Sequence, residues 1–498
     1  MKSLAKDTAI YGVSSIVGKF INWLLVPLYT AVLASSADYG VVTNLYSWTA
    51  LLLVILTYGM ETGFFRFANE SKENPDTVYS TSMTSVGFTS LLFAIICFVF
   101  APQIASALAQ YMGMAVYPEY IWMLGFSVAL DAFASIPFAY LRYIKRPIKF
   151  AALKMLYVVL NVLFNLFFLI ACPWLMKHAP QSIEWFYNPE YGVGYIFVSN
   201  ILSTTIQTLF LLPYILAVKF NFDGKLLCKI LRYSLPLLVL GIAGMMNQTL
   251  DKILFPFLKP GIEGTTDLGI YGATSKVAIV MLMFTQAFRY AYEPFVFAQK
   301  KDKDSFNSYA DAMKYFVIFS WLIFLGMTFY IDVFKLIIRN ESYWIGFQVV
   351  PIILVSFIFQ GIYFNLSIWY KLTDKTMYGA WFSLIGTIII VAGNVLLVPQ
   401  YSYVGSAWAA FACFFIIMLL SYFVGQKHMR IDYDLKSIGL YTLVALVLYA
   451  ASFLVDTPYL FINYTYKTIL LAAFVLLMIK RDLPLHQLPI VKRFFKKK

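Results

Sequence analysis

The chain has 498 residues, of which 61% are hydrophobic and only 13% charged, and its formal net charge is +13. A soluble domain is about half apolar and about one quarter charged, so this composition excludes a soluble protein and predicts one that crosses a membrane many times. The four cysteines are far apart and show no CxxC or Cys/His spacing, so we expect neither a metal site nor a disulfide framework.

Apolar segments long enough to cross a bilayer recur along the chain, and the sequence predicts fourteen of them. They lie near 8–33, 40–67, 78–100, 118–140, 149–172, 193–218, 230–256, 267–298, 307–331, 345–370, 378–398, 403–426, 436–456 and 459–480. Only "MKSLAKD" precedes the first segment, and no small-residue cleavage site follows it, so we expect an uncleaved anchor. The predicted fold class is an all-α polytopic membrane protein.

Lys and Arg are distributed unevenly among the loops. With the N-terminus in the cytoplasm, the cytoplasmic segments include "RYIKRPIK", "KFNFDGKLLCKILR", "KKDK", "KLTDK", "KHMR" and the tail "VKRFFKKK". The opposite loops near 34–39, 101–117, 398–402 and 457–458 contain no Lys or Arg. The exceptions on that side are Lys177, Lys259, Lys335 and Arg339. This bias predicts cytoplasmic N- and C-termini, and we attribute the net charge to topology and anionic membrane lipids, with no nucleic-acid partner.

An internal repeat relates the first and seventh segments. "GVSSIVGKFINWLLVPLYTAVLASSADYGVV" begins at residue 12 and "GIAGMMNQTLDKILFPFLKPGIEGTTDLGIY" at residue 241. Without a gap, an offset of 229 (241 − 12) aligns Pro27 with Pro256 and Gly40 with Gly269. Each half holds about six helices, an even number, so we predict parallel repeats around a central cavity, with alternating access by rocking. The predicted domains are six-helix lobes at 1–220 and 221–430, then two helices and a basic tail at 431–498.

Ionisable side chains inside the predicted segments are the main functional signal. A charge at the bilayer centre costs about 2.5–3.5 kcal/mol on insertion scales, so such residues normally face a cavity or a partner. The candidate cavity residues are Lys19, Arg66, Lys252, Lys276 and Arg289, with the amides Asn247 and Gln248. Glu61, Asp251 and Glu293 are candidates for ion coupling or for structural pairing, and Asp131 has no assigned role.

Two of these assignments have open alternatives. Arg66 lies near the end of its segment, where contact with lipid headgroups explains it equally well. Arg289 and Glu293 stand four residues apart, a spacing that permits an ion pair within one helix. The neighbours Asp251 and Lys252 point about 100° apart on a helix, so we expect Lys252 to face the cavity and Asp251 a neighbouring helix.

Several segments resemble the multidrug/oligosaccharidyl-lipid/polysaccharide (MOP) exporter superfamily, and more narrowly the Wzx-type polysaccharide and O-antigen flippases. They are "PLYTAVLASSADYGVV", "GMETGFFRFANE", "SIPFAYLRYIKRPIKFAALKMLYVVLNVLFNLFF", "FTQAFRYAYEPFVFA" and "NVLLVPQYSYVGSAWAA". Together they extend over about the first 425 residues.

The resemblance implies two six-helix lobes around a cavity and a C-terminal helix pair. It also implies transfer of an undecaprenyl-pyrophosphate-linked oligosaccharide across the bacterial inner membrane. That oligosaccharide would be a repeat unit of O-antigen, capsule or exopolysaccharide, and basic cavity residues would hold the anionic headgroup. By helix position, Lys19, Arg66, Lys252, Lys276 and Arg289 match that role.

We predict no cofactor, and coupling to an H⁺ or Na⁺ gradient stays open. The predicted partners are the lipid-linked oligosaccharide, membrane lipids and other polysaccharide-assembly proteins.

Two other functions stay open. A toxin-extrusion type multidrug antiporter would use Asp251 and Glu61 as proton or sodium sites. A membrane-embedded polysaccharide polymerase or glycosyltransferase is disfavoured, because the longest extracytoplasmic loops contain no paired carboxylates or His-centred cluster. We therefore predict a transporter rather than an enzyme.

Overall fold

The computed structural model describes residues 16–18, 20–21, 23–69, 73–298, 303–373 and 375–482, without the side chains of 291, 293–295, 297–298 and 303–305. All regular structure in these ranges is helical, and no strand occurs there. The all-α prediction is confirmed for this part of the chain.

The helices up to residue 258 follow one another through short connections. They are α1 (Leu25–Val32), α2 (Ser36–Thr57), α3 (Met60–Ala68), α4 (Pro75–Val99), α5 (Ala101–Met112), α6 (Pro118–Tyr143), α7 (Pro147–Leu166), α8 (Cys172–His178), α9 (Gly194–Ile215) and α10 (Gly224–Leu258). A π-helical turn, Phe167–Ala171, joins α7 to α8. Helix α5 lies within 101–117, which the sequence analysis treats as a loop.

The remaining helices complete the described chain. They are α11 (Ile262–Val277), α12 (Ile279–Ala298), α13 (Lys303–Phe329), α14 (Ile331–Ile337), α15 (Val350–Leu366), α16 (Ile368–Leu372), α17 (Met377–His428), α18 (Leu435–Ala451) and α19 (Leu460–Arg481), with a 3₁₀ segment at Glu341–Val349. Within α17, Ser402 has φ 52° and ψ −137°, so the helix is broken there. That break lies between the two predicted segments 378–398 and 403–426.

Helix starts follow from local capping chemistry. Ser35 accepts a hydrogen bond from the Asp38 amide, and the Asp38 carboxylate accepts one from the Ser35 amide, which forms a capping box before α2. At α10, the Asp223 side chain accepts hydrogen bonds from the amides of Lys225 and Leu226. These caps satisfy amide groups that the first helical turn leaves without partners.

Ten helices in the described ranges are long and apolar enough to cross a membrane, and eleven if the bent pair α11–α12 counts as one. The 52-residue α17 counts once in that number despite its break, and α18 is a shorter apolar helix. The chain is therefore a multi-pass membrane protein. The exact number of fourteen crossings and the cytoplasmic location of both termini stay predictions.

Two compact units divide the chain. The first comprises Met1–Lys276, Ile338–Val349 and Thr376–Ile417, and the second Val277–Ile337, Val350–Lys375 and Met418–Lys498. The predicted lobe boundaries at 220 and 430 stay a prediction.

Within the first unit, the two copies of the repeat touch backbone to backbone where α2 and α11 begin. A β-carbon added to Gly40 would lie 2.0 Å from the carbonyl oxygen of Thr265, and one added to Gly269 would lie 1.8 Å from that of Ser36. Because 36 + 229 = 265 and 40 + 229 = 269, each contact is the repeat counterpart of the other. The packing of α2 on α11 therefore has local two-fold symmetry, and only glycine fits at both positions without a shift.

Candidate substrate cavity

A cavity of about 420 Å³ lies within the first unit. Its walls come from α1, α2, α7, α9, α10 and α11, and they include Tyr29, Tyr39, Thr43, Tyr46, Ser47, Tyr157, Asn161, Asn200, Gln248, Thr249, Lys252, Gly272 and Lys276. Its volume is within the usual range of small-molecule sites. Among the described residues the lining contains two lysines and no carboxylate, so this part of the cavity wall is cationic.

The cavity ends beside the contact between the repeat copies. A β-carbon added to Gly272 would lie 2.2 Å from the Thr43 hydroxyl oxygen, and these two residues are repeat counterparts (43 + 229 = 272). Both line the cavity. The Gly40 and Gly269 contacts lie about one helical turn closer to the starts of α2 and α11, so the close backbone packing of the two helices adjoins the cavity.

Lys252 is held by its neighbour in sequence. Its Nζ lies 2.8 Å from Asp251 Oδ2 and 5.1 Å from the centroid of the Tyr271 ring. Asp251 is buried and also accepts a hydrogen bond of 2.7 Å from the Tyr271 hydroxyl. In the structure Lys252 lines the cavity while Asp251 contacts α11. In addition, the two side chains form an ion pair.

Side chains of the first repeat copy donate hydrogen bonds to the backbone carbonyls of both cavity lysines. The Asn44 side-chain amide, which is fully buried, donates a 2.8 Å hydrogen bond to the carbonyl oxygen of Lys252. The Trp23 indole donates one, also of 2.8 Å, to the carbonyl oxygen of Lys276. Lys276 forms no ion pair with any residue that the structure describes, and its side chain is exposed to the cavity. Its charge is therefore available to an anionic ligand.

A band of polar groups on α7 and α9 contributes to the same cavity. The Asn200 amide donates a 3.0 Å hydrogen bond to the Tyr157 hydroxyl, and Asn161 accepts hydrogen bonds from Asn165. Tyr157, Asn161 and Asn200 all line the cavity. Amide and phenol groups of this kind can exchange hydrogen bonds with the hydroxyls of a sugar.

Sequence reasoning missed this band. Tyr157, Asn161 and Asn165 follow at four-residue spacing in an otherwise apolar segment, and that spacing was the available signal. Lys154 was missed as well; it lies one turn before Tyr157 on α7, with its Nζ 4.0 Å from the centroid of the Phe138 ring.

The other predicted cavity residues lie elsewhere. Asn247 is buried and bonded to α17, donating to the Ser383 carbonyl at 3.1 Å and accepting from the Thr387 hydroxyl at 3.0 Å. The Arg66 guanidinium lies 4.2 Å from the centroid of the Tyr233 ring. Neither residue lines the cavity. Arg289 belongs to the second unit, where its guanidinium lies 4.5 Å from the centroid of the Phe364 ring.

The predicted carboxylates Glu61 and Asp251 lie in different places and have different partners. Glu61 on α3 forms an ion pair with Arg142 on α6, and Asp251 pairs with Lys252. Lys19 and the side chain of Glu293 lie outside the described residues. The structure therefore brings together Gln248, Lys252 and Lys276 in the cavity, with Asp251 directly behind Lys252.

Comparison with solved structures identifies the fold. A structure titled "Lipid II flippase MurJ, inward closed conformation" is similar with a TM-score of 0.70 and 13% sequence identity, covering 95% of this chain and 99% of that one. A multidrug resistance MATE family transporter of the MOP superfamily, inward-facing, has a TM-score of 0.63 and 14% identity over 82% of this chain and 94% of that one. A MOP superfamily transporter from Pyrococcus furiosus has a TM-score of 0.53 and 13% identity over 85% and 95%.

Sequence comparison gives the family. No curated protein sequence matches the chain. A family model described as "Polysaccharide biosynthesis protein" matches residues 4–291, which is more than half of the chain. The chain therefore belongs to the polysaccharide biosynthesis protein family, and its fold is similar to those of the flippase and MOP superfamily transporters above.

Proposed function

We propose that this protein is a flippase that carries an undecaprenyl-pyrophosphate-linked oligosaccharide across the bacterial cytoplasmic membrane by alternating access. The substrate would be a repeat unit of O-antigen, capsule or exopolysaccharide. The observation that carries the proposal is the cavity whose wall, in the part of the chain that the structure describes, contains Lys252 and Lys276 and no carboxylate. Family membership and a fold shared with a protein titled as a lipid II flippase support it.

The cavity chemistry suits the two parts of such a substrate. A pyrophosphate is a compact anion, and ammonium groups bind phosphate oxygens as point charges. Because a lysine inside a membrane is costly, its presence here favours a compensating anionic guest. Tyr157, Asn161 and Asn200 offer neutral hydrogen-bonding groups on another wall for sugar hydroxyls.

The proposal includes the topology expected from the loop charges. With fourteen crossings and both termini in the cytoplasm, the starts of α2 and α11 lie on the extracytoplasmic side. The Gly40–Thr265 and Gly269–Ser36 contacts then close the cavity toward the outside. The substrate would enter from the cytoplasmic leaflet, and separation of α2 from α11 would release it outward. On this account the protein is a transporter and catalyses no covalent reaction.

A cation-coupled multidrug antiporter is the second candidate, because MATE transporters share the fold and Asp251 is a buried carboxylate beside the cavity. In that case Asp251 would exchange a proton or sodium ion, and the ligand would be an organic cation. The cationic cavity wall argues against such a ligand.

The two candidates can be separated in cells whose own copy of this protein has been deleted and replaced by the wild type or a variant. Under the flippase proposal, Lys252→Ala and Lys276→Ala abolish the polysaccharide and lipid-linked precursor accumulates in the inner leaflet. Lys229→Ala is the matched control, because Lys229 is an exposed lysine on the same helix α10 as Lys252. Wild-type polysaccharide in both cavity variants, together with loss of dye efflux on Asp251→Asn, would establish the antiporter instead.

A further inference from the structure

A second cavity, of about 520 Å³, lies in the first unit on the other side of the first turns of α2. Asp38 and Val41 line this outer pocket, whereas Tyr39 and Val42 line the lysine-containing cavity. The start of α2 therefore forms a wall shared by two cavities. The remaining walls come from the end of α1, the connection between α5 and α6 with the start of α6, the π-helical turn with the start of α8, and the segment 187–195.

Five tyrosines dominate the outer pocket. They are Tyr117, Tyr120, Tyr187, Tyr191 and Tyr195. Their rings form a continuous chain of contacts: Tyr117–Tyr120 at 5.4 Å between centroids, Tyr120–Tyr191 at 5.9 Å, Tyr191–Tyr195 at 5.2 Å and Tyr195–Tyr187 at 4.8 Å. Aromatic contacts at these distances fix the rings relative to one another. The pocket therefore presents a preformed aromatic surface.

The hydroxyls of these tyrosines fall into two groups. Two hydroxyls have partners within the protein. The Tyr195 hydroxyl accepts a 2.7 Å hydrogen bond from the backbone amide of Asn188, and the Tyr120 hydroxyl donates one of 3.3 Å to the backbone carbonyl of Tyr191. The hydroxyls of Tyr117, Tyr187 and Tyr191 form no hydrogen bond with any described residue. Tyr187 as a whole is only 6% exposed, and its hydroxyl, which has no partner among the described residues, has hydrogen-bonding capacity left for a ligand.

The charge of the outer pocket is opposite to that of the first cavity. Its lining includes the carboxylates of Asp38 and Glu190 and no lysine or arginine. A pyrophosphate would be repelled here. A neutral sugar ring fits both features, because its C–H face packs on aromatic rings while its hydroxyls donate to carboxylates and exchange hydrogen bonds with phenols.

We propose that the outer pocket is a binding site for the saccharide part of the substrate, separate from the site that holds the anionic headgroup. This inference rests on the proposed function for the identity of the ligand. After the headgroup has passed the contact between α2 and α11, the pocket would receive the sugar units. The shared wall at the start of α2 would then couple occupancy of the pocket to the position of that helix.

Binding to the purified full-length chain in nanodiscs tests the inference. The probes are three neutral disaccharides (N,N′-diacetylchitobiose, maltose and lactose), with tetraethylammonium as an organic cation, and the readout is saturation-transfer NMR. We expect at least one disaccharide to bind the wild type. Tyr187→Phe and Glu190→Gln should each weaken that binding roughly two- to tenfold, as for loss of one or two hydrogen bonds.

Tyr187→Phe keeps the aromatic ring, so the variant tests the hydroxyl and not the packing. Tyr401→Ala is the matched control, because Tyr401 is 59% exposed in the same unit and does not line the pocket. Absence of binding by all three disaccharides, unchanged binding in both pocket variants, or competition by tetraethylammonium would each overturn the inference.

Failure of this inference and failure of the proposed function give different results. If Lys252→Ala abolishes surface polysaccharide but no disaccharide binds the wild type, the flippase proposal survives and the outer saccharide site does not. If disaccharides bind through Tyr187 and Glu190 while deletion of the protein leaves surface polysaccharide unchanged, the saccharide site is supported and the flippase proposal fails.

Discussion

The two copies of the internal repeat agree where backbones touch and differ where side chains reach the cavity. Gly40 and Gly269 are identical in the two copies, and each packs against a carbonyl oxygen of the other copy. In contrast, Lys252 occupies the place of Trp23 (252 − 229 = 23), and Lys276 that of Ser47 (276 − 229 = 47). The two glycines that pack against a carbonyl oxygen are thus the same in both copies, whereas these two cavity-lining positions differ in charge.

Because of this divergence, the two copies of the repeat contribute different groups to the cavity. The second copy supplies both lysines of the described cavity wall, while Trp23 and Asn44 of the first copy donate hydrogen bonds to the backbone of those lysines. A symmetric scaffold has thereby acquired an asymmetric cation site. Lys19, whose counterpart is Gln248, lies outside the described residues.

The largest effect should come from breaking the symmetric contact. Gly40→Ala and Gly269→Ala each place a β-carbon about 2 Å from a backbone oxygen, which a side-chain rotation cannot relieve. We expect each to lower the free energy of unfolding by about 3 kcal/mol or more, the upper end for overpacked cores because backbone atoms clash, and by similar amounts because the contacts are equivalent. Chemical unfolding of the purified chain measures this.

Gly244→Ala is the control, since a β-carbon there would meet nothing within 4 Å. An effect of Gly244→Ala as large as that of the two contact glycines would show that helix propensity, and not the contact between copies, determines the result.

The second-largest effect on the free energy of unfolding should come from a substitution that makes the second copy of the repeat resemble the first. Asp251 stands where the first copy has Asn22 (251 − 229 = 22), so Asp251→Asn restores the repeat while removing the charge that pairs with Lys252. We expect a loss of about 1.5–3 kcal/mol in the free energy of unfolding, because charge-assisted hydrogen bonds from Lys252 and Tyr271 are weakened.

Asp332→Asn offers a comparison for that variant, since Asp332 pairs with Lys335 at a partly exposed site. Pairs of that kind contribute about 0–1 kcal/mol. Equal losses in the two variants would contradict the structural importance of the Asp251 site.

A smaller effect is expected from the side chains that hold the lysine backbone. Asn44→Ala and Trp23→Phe each remove a hydrogen bond to a lysine carbonyl, at about 0.5–1.5 kcal/mol. Transport, followed as surface polysaccharide, should fall in both while the chain still folds. Asn69→Ala provides the control, because the exposed Asn69 side chain bonds only within its own helix. Full transport activity in the Asn44→Ala variant would show that Asn44 does not position the backbone of Lys252.

Much of the architecture was accessible from the sequence, because hydrophobic runs and a gapless repeat are strong signals. Lys252, Lys276 and Gln248 were predicted from their depth in apolar segments. The faces of individual helices were harder to predict. Asn247 stands next to Gln248 but bonds to α17, and in an almost uniformly apolar helix no periodicity separates the two directions.

Other parts of the site depend on contacts between distant segments. Asn44 lies 208 residues from Lys252, and no local pattern indicates that its amide would meet that carbonyl. The ion pair between Glu61 and Arg142 could not be predicted from the sequence either, because the two residues are 81 positions apart and meet only through helix packing. The tyrosines of the outer pocket come from α6 and from the 187–195 segment, so their clustering is a property of the fold.

The central claim is that Lys252 and Lys276 hold the anionic part of a lipid-linked saccharide. Its most direct test is the affinity of an undecaprenyl-pyrophosphate-linked oligosaccharide for the purified chain in nanodiscs, compared among the wild type, the double variant Lys252→Ala/Lys276→Ala and Lys229→Ala. The account predicts that the double variant loses at least about tenfold in affinity, as for charge-assisted hydrogen bonds, while Lys229→Ala binds like the wild type. Wild-type affinity in the double variant would contradict it.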